Sequence, residues 1–561
     1  MADSNFQEWS KDQLVERVRE LEQQLQKQKG NTEQPSPPTP DPPPPSQPGT
    51  ATATRRTAPT KAANKEKKAK RNKKPSALDP SKYSTRLVAL KLAYLGKRYG
   101  GFEYQVDGAA PTIEEELWRA LVKSCLIWPD RDRGRADITV DWSPWQYSKC
   151  GRTDKGGEGE DTEMMGDGDG DGDGKPAWDP VADEINYPRA LNRILPPDIR
   201  VLAWAPTLPD NFSARFSCRE RQYRYFFTQP AFAPLPASLG PDGESGRREG
   251  WLDVDAMREA AKLFEGLHDF RNFCKLDGAK QITNYQRMVF EADIVEVEGT
   301  GSALPYLSQA GFGPKGSKEG EGTYPKVYYF HVRGSAFLWH QIRHMVAILF
   351  MIGQGLEKPS LVTELLDVDR NPRRPNYVMA DEVPLVLWDC IFPKLEGGAM
   401  PRTAAVGVHD PDVEGSADMQ DSIDWVWLGE DKPSYLHGHG GVVDKLWECW
   451  RERKMDELLA NQLLDSVARK ADLSRRLAGS GPPEKPSSSQ RVYEGGGSAK
   501  ASGVYLPVLK KRLLATPDEV NDKWAQSKGF ASAEELAKTE NWRSVVKANR
   551  SAGKVVSSVD N

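Results

Sequence analysis

Cys150-Gly151-Arg152-Thr153-Asp154-Lys155-Gly156 sets a carboxylate between an arginine and a lysine, in a stretch bracketed by glycines. Glycine permits positive φ and close backbone approach, so the segment reads as a tight exposed loop. The neighbouring positive charge of Arg152 would keep Asp154 ionised. An ionised, positioned carboxylate can serve as a nucleophile, and flanking Arg and Lys suit a polyanionic substrate. Taken alone, a charged glycine-rich turn is ordinarily a solvated loop. Arg343 is a second candidate, because it lies among Phe337, Leu338, Ile342, Val346 and Ile348 on an apolar helix. A guanidinium buried there needs a carboxylate partner. His340 and His344, four apart on that helix, invite a zinc reading. Against it, the segment reads His-Gln-Ile-Arg-His, without a metalloprotease glutamate and with Arg343 between the two imidazoles. Six cysteines (125, 150, 218, 274, 390, 449) are scattered without CxxC pairs, which reads as reduced thiols rather than disulfides or zinc. Cys150 beside Arg152 reads as a small packing residue more readily than as a reactive thiol.

Several collinear segments carry a resemblance. Ser148 to Gly156 resembles the catalytic loop of the TruA family of tRNA pseudouridine synthases, in the form typical of its eukaryotic branch. Leu90–Gly96 with Tyr99, Gly101 and Phe102 is similar to the family's first strand and turn. Asn192–Pro196, Phe212–Phe216 and Arg221-Gln222-Tyr223-Arg224-Tyr225 resemble its middle block. His268–Phe273 and Phe337–His344 resemble its second half, closest to the branch acting on tRNA positions 38 and 39. The resemblance covers roughly residues 86–156 and 180–395.

It implies a tRNA substrate and Asp154 as the nucleophile, with attack on base or ribose left open. It implies Arg343 paired with Asp154, Arg152 in base flipping and phosphate contact, Tyr223 as the active-site tyrosine and Leu385 lining the pocket. A stacked uridine must be extruded to be reached, and a tyrosine offers both a stacking face and a hydroxyl able to relay a proton. Converting uridine to pseudouridine involves neither redox change nor hydrolysis, so no metal or organic cofactor is expected.

The elements that must hold these residues mix strands and helices, which predicts α+β packing on a mainly antiparallel sheet. The resemblance implies two such halves with a cleft between them. Residues 86–95 alternate as a strand, and 221–228 and 326–333 read as strands. Residues 112–126 read as a helix with Thr112 and Glu115 in a capping box, its stripe built by Leu117, Leu121 and Val122. Residues 187–195, 255–265, 337–352 and 442–476 also read as helices. The organisation expected is a helix over 1–30 (Leu14, Val15, Val18, Leu21 and Leu25 at helical spacing), a disordered Pro-rich and basic linker over 31–80, catalytic halves over 81–235 and 236–395, and a polar, partly helical extension over 396–561 containing a Gly/Ser/Pro linker at 478–500.

Net charge is −4 with 38% hydrophobic residues, so whole-chain charge does not predict nucleic-acid binding and local charge must supply it. The basic run from Lys61 to Lys74 fits nuclear localisation or a grip on tRNA phosphate. No apolar run approaches bilayer-spanning length and the N-terminus lacks signal-peptide character, so a non-secreted protein of the nucleus, the cytoplasm or both is expected. A homodimer and a protein partner for the N-terminal helix complete the expected partners.

The resemblance breaks after Gly156. Gly157-Glu158-Gly159-Glu160 and an acidic Gly-Asp repeat follow where the family has an apolar strand. Residues 157–176 therefore read as a disordered acidic insertion, leaving a gap in the sheet beside Asp154. Such a break is what a retained intron or a mispredicted gene model would leave. The alternative reading that follows is a catalytically impaired, tRNA-binding relative.

Overall fold

The computed structural model describes residues 85–129, 140–151, 158–165, 179–209, 212–233, 250–298, 325–393, 421–470 and 491–546, apart from a few positions within them, together with Tyr83 and Thr153; of 158–165 only the backbone is described. The helix expected over 1–30, the 31–80 linker, Arg152, Asp154 and the Gly-Asp repeat lie outside the described residues.

Strand β1 (Val88–Tyr94) is the first strand of the described chain. Both of its faces are buried, so its two alternating rows of side chains are those of a central strand with protein on either side. Helix α1 (Ile113–Lys123) starts at Thr112, whose hydroxyl accepts the Glu115 N–H at 3.2 Å while the Glu115 carboxylate accepts the Thr112 N–H at 3.4 Å. This is the expected capping box. Ile113, Leu117, Trp118 and Leu121 form the buried stripe of α1; Val122 only borders it.

Next come β2 (Ser148–Lys149), β3 (Glu158–Met165), α2 (Tyr187–Asn192), β4 (Ile199–Ala205), α3 (Ala214–Ser217) and β5 (Glu220–Gln229). The second half contributes α4 (Val254–Lys262), β6 (Gly266–Asp269), β7 (Gln286–Glu296), β8 (Lys326–Gly334), α5 (Gln341–Gly353), α6 (Ser360–Leu366) and β9 (Leu385–Ile391). The chain then adds β10 (Val426–Trp427), α7 (Val442–Lys470), β11 (Arg491–Val492), β12 (Lys500–Ala501), α8 (Pro517–Ser527) and α9 (Ala533–Lys538).

Among the described residues one sheet runs in the order β10-β4-β1-β3-β9-β5-β8-β7-β6, with β2 also on β3. Every pairing in it is antiparallel except β3 with β9. That parallel pair joins two cores, one built on β1, β4, α1 and α2, the other on β5, β7, β8, α4 and α5.

The acidic segment corrects the sequence expectation. Glu158–Met165 is not an insertion outside the sheet; it pairs with β1 from Val88↔Met165 to Tyr94↔Gly159. Its other edge carries β9 at Glu158↔Val386 and Gly159↔Leu387, and β2 at Ser148↔Met164 and Lys149↔Glu163. A central slot with β1 on one side and β9 and β2 on the other leaves backbone donors and acceptors that any strand can satisfy. Hydrogen bonding therefore fills it despite poor strand composition.

Helix α5 is buried along its whole length. It begins at Gln341, later than the apolar run suggested. The Gln341 Oε1 accepts the Leu338 N–H at 2.8 Å, and His340 takes a left-handed φ of 60°, so 337–340 form a turn.

Residues 491–501 also depart from the reading of 478–500 as a linker. Tyr493 is buried against Phe350 (ring centroids 4.8 Å apart) and Phe232 (5.7 Å). Its backbone N–H and C=O both bond the Gln354 side-chain amide at 2.8 Å. Gly495 has φ +93°, and a Cβ there would run into the Tyr225 hydroxyl. We expect Gly495→Ala to cost about 3 kcal/mol, combining left-handed strain with overpacking. Gly497→Ala, where a Cβ meets nothing within 4 Å, should stay within about 0.5 kcal/mol. Urea unfolding of the two variants checks the pair.

Candidate active site

A cavity of about 1660 Å³ opens where the two cores meet. It is lined by Cys150, Gly151 and Thr153 from the glycine-bracketed loop, by Tyr223 on β5, Arg343 on α5 and Leu385 at the start of β9. Three of the residues expected at the site thus share one wall system. The other two, Arg152 and Asp154, fall between and just beyond Gly151 and Thr153, outside the described residues.

The loop is anchored on both sides of Arg152. The Arg221 guanidinium donates from Nε and Nη2 to the Cys150 carbonyl, both at 3.3 Å. On the far side, Thr153 Oγ1 lies 3.0 Å from the Tyr94 hydroxyl, and the Thr153 carbonyl accepts the Phe102 N–H at 3.2 Å. Upstream, the buried Glu114 carboxylate accepts from the Tyr147 hydroxyl (2.7 Å), the Tyr104 N–H (2.6 Å) and the Lys149 ammonium, which fixes β2 as it enters the loop. The chain is therefore pinned one residue before Asp154 and again four residues later, where β3 begins. A short segment held at both ends can present a side chain in a defined direction.

Arg343 is buried, with Nε donating to the Ala380 carbonyl at 2.7 Å and Nη2 to Glu382 Oε2 at 2.8 Å. The carboxylate its burial demanded is thus supplied in part by Glu382, a loop residue that no spacing signal in the sequence could mark. Tyr223 lies on the inward row of β5 with Arg221, Tyr225 and Phe227. Its ring meets Phe337 edge-on, 5.3 Å between centroids. This packing holds the ring at the cavity wall.

Six basic side chains (Lys149, Arg215, Arg221, Lys280, Arg287, Arg343) face the cavity against three carboxylates (Glu103, Glu114, Glu382) among the described residues. Local charge therefore favours a phosphodiester despite the net charge of −4. The segment Ala279–Asn284 forms part of the cavity lining, and the C-terminal segment braces it: Asn521 donates to the Ile282 carbonyl at 2.9 Å and Gln281 to the Asn521 carbonyl at 3.2 Å. The extension is thus structurally tied to the site.

His344 has both ring nitrogens engaged. Nδ1 lies 2.9 Å from the His340 carbonyl and Nε2 meets the Arg374 guanidinium. This geometry removes the zinc reading of the His340/His344 pair, since Nε2 faces a cation. Burial, then Arg374, pushes the His344 pKa down to about 3. A histidine kept neutral in the fold stabilises it above the unfolded pKa near 6.5, and the contribution is lost as pH falls from there toward 3. Between pH 7 and pH 5 that loss is about 2 kcal/mol. Urea midpoints at the two pH values should show it in the wild type, and His344→Gln should flatten the difference.

The cysteines depart from the scattered picture. Cys150, Cys218 and Cys390, far apart in the chain, bring their Sγ atoms within 4.8 Å of one another in the buried core beside the loop. Burial alone would push the Cys218 thiol up, but bonds from Cys150 and Cys390 and the nearby Arg221 outweigh it and hold Cys218 well below its usual range.

The fold is α+β with one basic cavity between its two cores, and comparison with known proteins gives its family. A family model for tRNA pseudouridine synthase matches residues 260–393, and the chain belongs to the TruA-type tRNA pseudouridine synthase family. It is 37% identical to the tRNA pseudouridine(38/39) synthase of Homo sapiens over 68% of this chain and 66% of that protein. The tRNA pseudouridine(38/39) synthases of Bos taurus and Saccharomyces cerevisiae are 36% and 34% identical, covering 71% and 70% of this chain and 69% and 73% of their own lengths.

Proposed function

We propose that this protein is an isomerase that converts uridine to pseudouridine in the anticodon arm of tRNA, at positions 38 and 39. One observation carries the reading: the loop residues flanking Asp154 share a single basic cavity with Tyr223, Arg343 and Leu385. The names of the relatives support the positions acted on.

In the proposed reaction the Asp154 carboxylate is the nucleophile toward the extruded nucleotide. The N1–C1′ bond breaks, the uracil turns, a C5–C1′ bond forms, and the proton lost from C5 is balanced by one gained at N1. Arg343 holds the carboxylate ionised and oriented, Arg152 contacts phosphate during extrusion, and Leu385 closes an apolar wall. Tyr223 supplies the stacking face and moves the proton. The basic run before the catalytic region would serve nuclear entry or tRNA grip, consistent with work in nucleus, cytoplasm or both.

Tyr223→Phe separates the two tyrosine roles. With the ring retained, we expect tRNA affinity to be unchanged and the pseudouridine-forming rate to fall about a hundredfold. A rate equal to wild type, measured by single-turnover conversion of a tRNA transcript, would remove the hydroxyl from the mechanism.

A further inference from the structure

The buried thiol cluster next to the catalytic loop is unused by the proposed chemistry. Cys150 begins the loop, Cys218 lies between α3 and β5, and Cys390 lies on β9, directly opposite Arg221 in the β5–β9 ladder. Three chain segments therefore converge on one point. Their sulfur atoms all lie within 4.8 Å of each other. A tetrahedral zinc ion with Zn–S bonds of about 2.3 Å asks for sulfur separations near ~3.8 Å, so a small contraction suffices.

Charge makes an independent argument. Arg221 is buried, and its guanidinium donates to the carbonyls of Cys150, Arg215 and Ser335. Among the described residues no carboxylate pairs with it. A buried cation held only by neutral carbonyls is costly unless a counter-charge lies nearby. Three thiolates and one divalent soft ion carry a net charge of −1, which Arg221 neutralises. A monovalent soft ion would leave an uncompensated negative charge. Thiolate sulfur selects zinc among common divalent ions. Cys150 also lines the cavity, so an ion can reach the cluster from that side.

We propose that Cys150, Cys218 and Cys390 form a structural zinc site that fixes the first residue of the catalytic loop to β5 and β9. The ion takes no part in the isomerisation. It ties the loop's origin to the sheet while leaving the nucleophile segment to the cavity.

The test uses full-length protein equilibrated with zinc and then gel-filtered. The expected result is close to one equivalent of zinc by mass spectrometry. Cobalt substitution should give the sulfur-to-cobalt charge-transfer absorption of a tetrahedral thiolate site. A variant carrying Cys125→Ser, Cys274→Ala and Cys449→Ser keeps only the cluster and should retain both signals. Cys390→Ser should weaken zinc affinity by at least about a hundredfold, beyond the 10–100-fold typical of losing an outer-shell partner. Wild-type protein that holds no zinc and shows no cobalt charge transfer overturns the proposal, as does zinc binding that survives replacement of all three cluster cysteines by serine. The wild-type cobalt spectrum decides the matter even where a serine variant fails to fold.

Discussion

Replacing Asp154 with asparagine is expected to reduce pseudouridine formation by at least about a thousandfold, the scale of losing a covalent nucleophile, while tRNA affinity changes less than about threefold. Asparagine has nearly the same shape, so the loop can keep its anchors at Cys150 and Thr153, which are made by other residues. What is lost is the charge and the nucleophilic oxygen. Binding is expected to rest on the basic side chains around the cavity, each of which remains. Single-turnover conversion and filter binding on the same preparation separate the two effects. A variant retaining a tenth of wild-type rate would show that another group carries the chemistry.

The second large effect is expected at Arg343. Arg343→Lys keeps a positive charge but loses the planar fork that reaches Ala380 and Glu382 at once. The rate should fall about a hundred- to a thousandfold with little change in tRNA affinity. A merely structural arginine would also matter, because breaking a buried pair costs about 3–5 kcal/mol. The pH profile tells them apart. A guanidinium close to a carboxylate lowers its pKa by about 1–3 units. If Arg343 serves Asp154, the acid limb of the rate profile in Arg343→Lys moves to higher pH as the fork is lost. An unshifted limb with a lower plateau would leave Arg343 as a stability element alone.

Much of the catalytic region was legible because local signals and tertiary demands agree there. Thr112 and Glu115 announce α1 through a cap that the fold uses unchanged. Arg343 stood out because a charge on an apolar helix is expensive, and it is indeed buried and bonded. Tyr223 and Leu385 were placed by resemblance, and both face the cavity. The reading failed where tertiary context outweighs composition. Glu158–Met165 looks nothing like a core strand, yet the open edges of β1, β2 and β9 take it up. Residues 491–501 read as linker because glycine and serine hide the one residue that docks, Tyr493. Glu382 and the cysteine cluster belong to contacts between distant segments and carry no periodic or spacing signature.

The filled β3 position completes the sheet beside the loop, which removes the gap that motivated the reading of an impaired relative but leaves the choice between the two to experiment. The most direct test incubates full-length protein with two tRNA transcripts, one carrying uridine at positions 38 and 39 and one carrying cytidine there, and maps pseudouridine at single-nucleotide resolution. We predict conversion at those uridines in the first transcript and none in the second, with both bound. Tight binding of the first transcript without any pseudouridine would contradict the account and mark the protein as a tRNA-binding relative without the chemistry.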